Sequence, residues 1–321
     1  MKYRYWCLTL IPAILGACVA GGEAQRDAHG DALPMPATRS AASCPPPGTD
    51  RAALEALRDR QFAIADDARR TALALELLEC LGHPDPFLRD DIAYTGLAAM
   101  MRRDEITHET ARQMLERLTK ILLQDPADDD GFHRPFAALV LAEVARMDRI
   151  DPFLLPPERD GLVRTAETYL AGVWDYRGFS NSEGWRHGVA HGADLVLQLT
   201  LNERVDADGL KTLLGAVFGQ VVPSSGHFYR FGEAQRLARP LLFAAQRGLI
   251  EEATWVAWFD ALIDPTPFKD WASIYRSRSG LARIHNTRAF AYELDVRLKR
   301  NPQVDFGALG AQVDRLIAAL P

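Results

Sequence analysis

Residues 71–100 read TALALELLECLGHPDPFLRDDIAYTGLAAM, and this stretch carries the pattern on which the fold prediction rests. Apolar residues recur at helical spacing in its first half, and Gly82 ends that run. Asp85 and Pro86 then form a helix cap followed by proline at the first helical position. A second apolar run continues through Ile92. The stretch therefore predicts two helices joined by a short turn, which is a helical hairpin.

The same kind of pattern continues to the end of the chain, and from Asp50 onward no stretch shows convincing strand alternation. Further helices are predicted near 107–123, 135–147, 157–174, 184–201, 207–220, 231–248, 250–263, 281–299 and 303–320. Most connections are short, which favours antiparallel neighbours. The longer connections are 124–134, 175–183, 221–230 and 264–280. Loops of this kind commonly carry binding sites.

A weak internal period accompanies these helices, because arginines recur near the starts of successive apolar runs at Arg89, Arg134, Arg186, Arg236 and Arg288. The first of these runs, HPDPFLR, resembles the second helix of a HEAT repeat. We therefore predict an all-α fold, in which stacked helical hairpins form an α/α superhelix of the HEAT or armadillo type. A closed α/α toroid is the alternative. Arginines in such arrays usually bridge neighbouring repeats, so we interpret these five as structural.

The overall charge of the chain argues against a nucleic-acid partner. The chain of 321 residues carries 37 basic and 43 acidic side chains, for a net charge of −6. A dedicated nucleic-acid binder needs a basic face, and this balance argues against one. Hydrophobic residues make up 48% of the chain, which is ordinary for a globular protein and excludes wholesale disorder.

The N-terminus has the features of an export signal. Lys2 and Arg4 precede a short apolar run that is well below the roughly 20 residues a membrane-spanning helix needs. The sequence Leu15-Gly16-Ala17-Cys18 resembles the bacterial lipoprotein signal, in which cleavage precedes the cysteine and the cysteine carries a lipid. An ordinary cleaved secretion signal is the alternative. Because Val19 rather than Asp follows Cys18, the resemblance implies the periplasmic face of the outer membrane.

These features divide the chain into three parts. Residues 1–17 are interpreted as a lipoprotein signal peptide, residues 18–48 as a flexible tether, and residues 49–321 as a single α-helical repeat domain. Cys44 and Cys80 are the cysteines left for the exported body, and an oxidising compartment favours a disulfide between them. Two free buried thiols are the alternative.

The densest polar and aromatic stretch, EGWRHGVAHGAD at residues 183–194, provides the candidate site. On a helix, His187, His191 and Asp194 would share one narrow stripe, because successive residues turn by about 100°. Two imidazoles one turn apart and a carboxylate can hold a divalent metal such as Zn²⁺, and Asp175 or Glu183 could activate a water as general base. The stretch lacks the Glu that a zincin motif requires. A ligand groove and purely structural polar packing are the alternatives.

Further residues extend this candidate site. Gln198 continues the stripe, and Trp185 and Arg186 flank it. Gly184, Gly188 and Gly192 form a second stripe, which indicates close approach of a neighbouring helix or of a ligand. A fainter cluster lies at 227–236, where Glu233 and Arg236 are expected to pair at i and i+3.

The chain also resembles a bacterial domain of unknown function, family 2785. The resemblance rests on GHPDP at 82–86, RPFAALVLA at 134–142, DYRGF at 175–179 and GWRHGVAHGAD at 184–194. It spans most of the body, and the last motif is specific. The chain departs from the family pattern at His83 and Pro135, outside the histidine-rich motif. The resemblance implies an all-helical fold and no particular activity.

The function predicted from these features is a lipid-anchored envelope protein that acts as a binding or scaffold module. Its concave polar-aromatic groove would take a peptide, a glycan or an envelope protein, using Trp185, Arg186, Gln198, Glu233 and Arg236. A metal-dependent hydrolase centred on the HxxxHxxD pattern is the alternative. A glycan-active toroid with Asp175, Glu183 and Glu233 as acid and base groups is a second one. The sequence does not decide whether the protein is an enzyme.

Overall fold

The computed structural model describes residues 44–124 and 128–321, with no account of the Gln124 side chain. The predicted signal peptide, the lipid attachment at Cys18 and most of the tether lie outside these residues. Among the residues described, no helix is both long and apolar enough to cross a membrane.

The described chain is almost entirely helical, which confirms the all-α prediction. A π-helix, Phe87–Tyr94, runs directly into α3. The hairpin β1 (Phe179–Ser180) and β2 (Gly184–Trp185) comprises the strands of the described chain. The α-helices are α1 Arg51–Asp59, α2 Asp67–Cys80, α3 Thr95–Arg102, α4 His108–Gln124, α5 His133–Ile150, α6 Pro156–Ala171, α7 Gly188–Thr200, α8 Ala207–Val221, α9 Glu233–Arg247, α10 Glu252–Ile263, α11 Trp271–Ile274, α12 Arg278–Arg300 and α13 Leu309–Ala319.

Helices α2 to α9 pack in two layers, because from α2 to α7 each helix contacts the second helix further along the chain. The front layer consists of α3, α5, α7, α9 and α12, and the back layer consists of α2, α4, α6 and α8. Each hairpin buries its apolar face against the next, as in a repeat array. In the described residues, no extensive contact joins the first helices to the last, which favours the open array over the toroid. The specific likeness to HEAT repeats stays a prediction.

The helices of the front layer run parallel. Arg186 before α7 bonds to the Asp130 carbonyl before α5, and His187 bonds to the Phe231 carbonyl before α9. At the opposite ends, Arg247 of α9 bonds to the Thr200 carbonyl of α7. The loops that precede α5, α7, α9 and α12 therefore meet along one edge of the array.

The periodic arginines join elements across this array. Arg89 is 0% exposed and donates to the carbonyls of His83, Pro84 and Glu183. Arg134 donates to the Leu122 carbonyl of α4. Arg186 and Arg236 likewise bond across elements, to Asp130 and Asp194. These contacts fit the structural interpretation of the arginines; Arg288 is half-buried and makes no comparable bond in the described chain.

A disulfide joins Cys44 to Cys80, as predicted from the cysteine count. It ties the segment before α1 to the end of α2 and closes a loop of 36 residues. On the chain-entropy argument, closing a loop of this length stabilises the fold by about 4 kcal/mol.

Candidate functional site

The histidine-rich stretch does not form the single helix that the spacing predicts. Gly184 and Trp185 belong to β2, whose antiparallel partner is β1, and α7 begins only at Gly188. His187 has a left-handed backbone with φ of 61°, a conformation that histidine tolerates better than most residues. The predicted helix 184–201 is therefore too long at its start, because cross-strand pairing and this turn replace its first helical turn.

His187 and His191 nevertheless lie side by side, with ring centroids 5.7 Å apart. The Nε2–H of His187 donates to the Phe231 carbonyl at 3.0 Å. The Nδ1–H of His191 donates to the Pro135 carbonyl at 3.2 Å. Both side chains are buried, and Trp185 stacks on His187 at 4.6 Å. We call Trp185, His187 and His191 the histidine cluster.

Burial sets the charge state of this cluster. Desolvation, with a smaller contribution from the Arg236 charge, lowers the pKa of His187 to about 4. Desolvation also holds the pKa of His191 well below its ordinary value, and the neighbouring His187 adds to this effect. Both rings are therefore neutral at physiological pH.

The three predicted metal ligands do not converge. Asp194 of α7 forms an ion pair with Arg236 of α9, so the predicted pairing of Arg236 with Glu233 is wrong. Burial raises the pKa of Asp194, against the lowering effect of Arg236 and Arg239. Among the residues that the structure describes, no group of three or more His, Cys, Asp and Glu side chains is placed to hold a metal ion.

The remaining polar residue of the stripe and the glycines also have structural partners. Gln198 accepts a hydrogen bond from Arg149 of α5 at 3.3 Å. A Cβ at Gly188 or Gly192 would contact Tyr169 of α6 at 3.4 and 3.1 Å. The close approach that these two glycines allow is therefore that of a neighbouring helix.

The carboxylates predicted to act as acid or base form hydrogen bonds within the protein. Asp175 accepts from Arg177 at 2.9 Å, and Glu183 accepts from Arg186 at 3.1 Å. The hydrogen bond from Arg186 lowers the pKa of Glu183, whereas a general acid needs a raised pKa.

Glu233 has a partner as well. It is buried at the start of α9, where it accepts from the backbone N–H of Phe231 at 2.8 Å and lies 3.9 Å from His187. With this contact, all three carboxylates have partners within the protein.

The loops along the common edge line an open cavity of about 600 Å³. Its wall includes four arginines, Arg177, Arg186, Arg230 and Arg278, and only one carboxylate, Glu183. Aromatic rings complete the wall, namely Tyr176, Phe179, His227 and Phe231. We call this cavity the arginine pocket. The long connections 175–183, 221–230 and 264–280 each contribute residues to this wall, so they lie next to one another.

Two of the four arginines keep their charge uncompensated. Arg177 and Arg186 pair with Asp175 and Glu183. Within residues 44–124 and 128–321, Arg230 and Arg278 form no ion pair; Arg278 lies 5.4 Å from the Phe228 ring centroid. The pocket therefore carries a net positive charge on a protein whose overall charge is negative.

The positive charge of the pocket affects the pKa of the His227 ring. Burial lowers the pKa of His227, and the charges of Arg230 and Arg278 lower it further. Its Nε2 atom is buried and has no hydrogen-bond partner among the described residues. A neutral, partnerless ring nitrogen beside two cations is a polar atom that a bound ligand could satisfy.

Close packing shapes the pocket wall. A Cβ at Gly178 would lie 2.0 Å from Cδ2 of Phe231, so only glycine lets the Phe231 ring lie against β1. Trp185 is 38% exposed beside the pocket and contacts both Phe179 and Phe231 through ring edges and faces. The hairpin and the segment before α9 are thus joined into one wall.

The sequence indicates part of this pocket. The cluster 227–236 contributes His227, Arg230 and Phe231 to the wall, and Arg186 is a predicted groove residue. No sequence motif marks Arg177, Phe179, Arg230 and Arg278 as ligand-binding residues, since no motif distinguishes an unpaired arginine. Their position in the long loops was the available signal.

A comparison with protein-family profiles matched the profile described as Protein of unknown function (DUF2785) over residues 118–296. This range exceeds half of the chain and contains every residue that lines the arginine pocket. The comparisons with curated proteins and with solved structures found no match. The matched range contains the motifs at 134–142, 175–179 and 184–194 but not GHPDP at 82–86, and the chain belongs to the DUF2785 family.

Proposed function

We propose that this protein is an envelope-anchored binding module that holds an anionic ligand in the arginine pocket. The observation that carries the proposal is the charge of the cavity wall, with four arginines against one carboxylate and two of them unpaired. Opposite charge across an interface gives specificity and speeds association.

The orientation of the helices adds to the positive charge of the pocket. Helices α5, α7, α9 and α12 begin along the edge where the pocket lies, and each helix N-terminus carries a partial positive charge. A cavity of about 600 Å³ is also within the size range of ligand sites. Charge, helix orientation and volume all favour a negatively charged ligand.

Binding is favoured over catalysis. A hydrolase built on Asp175, Glu183 or Glu233 would need a free carboxylate, and each of the three has a partner. A metal-dependent hydrolase would need His187, His191 and Asp194 to share a metal, and their side chains bond elsewhere. The geometry therefore supports neither enzymatic alternative.

The anchor is the second element of the proposal. It rests on the resemblance of residues 15–18 to a lipoprotein signal. Lipid attachment would keep the body at the membrane, at the periplasmic face of the outer membrane. Replacing Cys18 with Ser should release the protein into the soluble envelope fraction on fractionation; retention in the membrane fraction would contradict the anchor.

The pocket is tested by replacing both Arg230 and Arg278 with Glu. The probes are a labelled acidic octapeptide and an oligogalacturonate, each compared with a neutral counterpart by fluorescence anisotropy. At least one anionic probe should bind, should bind more weakly as salt rises, and should lose about tenfold or more in affinity in the variant.

The matched control replaces Arg117 and Arg164 with Glu, because these arginines are exposed on back-layer helices and the change in net charge is the same. The control should change affinity by less than about twofold. Equal losses in both double variants, or equal binding of neutral and anionic probes, would contradict the pocket.

A further inference from the structure

A second cavity lies next to the arginine pocket, between α9 and α12. Its volume is about 590 Å³, and Arg230 lines both cavities. Gln235 of α9 and Ala289, Tyr292 and Val296 of α12 line its length. We call it the α9–α12 groove. The shared arginine makes the two cavities neighbours along one cleft.

The wall that α12 contributes includes an apolar stripe beside the polar side chains of His285 and Glu293. Ala289, Tyr292 and Val296 follow one another at three- and four-residue spacing, so they share a face of the helix. Tyr292 is 52% exposed and Val296 is 43% exposed. Apolar side chains this exposed, beside a cavity, indicate a surface that another molecule covers.

Elsewhere in the front layer, polar side-chain pairs cross from helix to helix. These pairs are Arg102 with Glu143, Arg149 with Gln198, and Arg236 with Asp194. In the described part of the chain, no such pair crosses from α9 to α12. The groove therefore lies where the polar pairing between helices of the front layer stops in the described chain.

The two ends of the groove differ in charge. Arg230 and Arg278 mark the end at the pocket. Toward the far end, the carboxylate of Glu293 lines the groove, and Arg297 lies 3.6 Å from it. The unpaired cations that line the cleft in the described chain therefore lie at the pocket end.

The distance between the two ends sets the length of an occupant. Arg278 and Val296 are 18 residues apart on α12, which corresponds to about 27 Å at 1.5 Å per residue. An extended peptide advances about 3.4 Å per residue, so about eight residues cover this distance.

We propose that the cleft binds an extended peptide of about eight residues, with carboxylates near one end and apolar side chains behind them. The inference rests on the proposed function, since the acidic end of the peptide occupies the arginine pocket. A peptide fits better than a glycan because apolar side chains provide much of the lining, and the two carboxylates there, Glu233 and Glu293, are partnered by the Phe231 N–H and by Arg297. The carboxylates of the peptide meet Arg230 and Arg278, and its apolar side chains cover Tyr292 and Val296.

The test compares two labelled peptides, Asp-Asp-Ala-Leu-Phe-Ala-Ser-Gly and Asp-Asp-Ser-Gly-Ser-Gly-Ser-Gly, on the purified full-length protein. Replacing Tyr292 and Val296 with Ala should weaken the apolar-centred peptide about tenfold and the polar-centred peptide less than about twofold. Both residues are half-exposed, so the variant keeps its fold, and circular dichroism checks this.

A matched control replaces Leu123 and Leu249 with Ala, because these residues are equally exposed and lie outside the groove. It should leave the affinity of both peptides unchanged. A loss equal to that of the groove variant would overturn the peptide proposal, since the effect would not depend on the groove.

The remaining outcomes distinguish a failure of the peptide proposal from a failure of the arginine pocket as a ligand site. Equal affinity for both peptides, lost on replacing Arg230 and Arg278 with Glu but not on replacing Tyr292 and Val296, would overturn the groove and leave the pocket standing. No effect of the arginine variant on any anionic probe would overturn the pocket and the groove together. An oligogalacturonate that displaces the apolar-centred peptide and depends on Tyr292 would place a glycan in the groove instead.

Discussion

The histidine cluster and the arginine pocket lie next to each other on the same edge, yet they treat their polar groups in opposite ways. In the cluster, His187 and His191 each donate to a backbone carbonyl, and Trp185 covers the first ring. In the pocket, Arg230 and Arg278 have no carboxylate partner in the described chain. The histidines of the most recognisable motif are thus bonded within the fold. The unpaired charged side chains lie beside them, in the arginine pocket.

Burial explains the contrast. A buried polar group that lacks a hydrogen bond costs about 1–3 kcal/mol, so the buried imidazoles are partnered. An arginine in an open cavity keeps its water and costs little when it is left unpaired. The two unpaired arginines of the pocket therefore lie where a ligand can reach them.

The largest effect is expected for Arg89→Met. The guanidinium donates to the carbonyls of Pro84 and Glu183 and lies 4.0 Å from the Phe132 ring centroid. Removing it leaves buried acceptors unpaired and loosens the hairpin between the two regions, so the free energy of unfolding should fall by about 4 kcal/mol. Urea denaturation measures this, with exposed Arg164→Met as control; a fall below about 1 kcal/mol would contradict the structural role.

The next largest loss of stability is expected for His191→Ala. The substitution removes a buried ring that packs edge-on against Phe136 at 5.1 Å and the hydrogen bond to Pro135. Unfolding free energy should fall by about 3 kcal/mol, and affinity for the anionic probes should stay within about twofold. Unchanged stability combined with lost binding would instead make the histidine cluster the ligand site.

The pH dependence of stability tests the neutral state of His187. Its pKa is about 4 in the folded protein and 6.5 in the unfolded chain, so the unfolded state binds the extra proton between these values. Its contribution to stability is complete above pH 6.5 and is lost as the pH falls toward 4.

His187→Gln removes this contribution and can keep the donor to Phe231. Relative to the wild type, the variant should lose about 2 kcal/mol less stability between pH 7.5 and pH 5. The comparison is made as a difference because burial raises the pKa of Asp90 to about 6, which acts in the opposite direction in both proteins. Parallel pH profiles would contradict a neutral buried His187.

The smallest effect on stability is expected in the pocket. Arg230→Ala and Arg278→Ala remove side chains that have no ion pair in the described structure, so each should change the unfolding free energy by no more than about 0.5 kcal/mol. Thermal unfolding measures this. A loss above about 1 kcal/mol would show that these arginines stabilise the fold and would weaken the argument for a ligand.

The prediction from the sequence was accurate where local signals act alone. Helical periodicity and caps located most helices to within a few residues, and the two remaining cysteines formed the expected bond. It was wrong for the start of α7, since the hairpin of β1 and β2 depends on pairing between residues 179–180 and 184–185 rather than on helical spacing. The pairing of Arg236 was missed because Asp194 lies on another helix.

The sequence by itself determined the helical class, the order of the hairpins and the positions of the long loops, because apolar spacing and capping act over a few residues. Only the tertiary structure decided which polar groups are partnered. Parallel packing of the front layer brings Asp194 to Arg236 and His187 to Phe231, and it leaves Arg230 and Arg278 facing a cavity. Whether a charge is compensated depends on residues tens of positions away, and no local pattern contains that information.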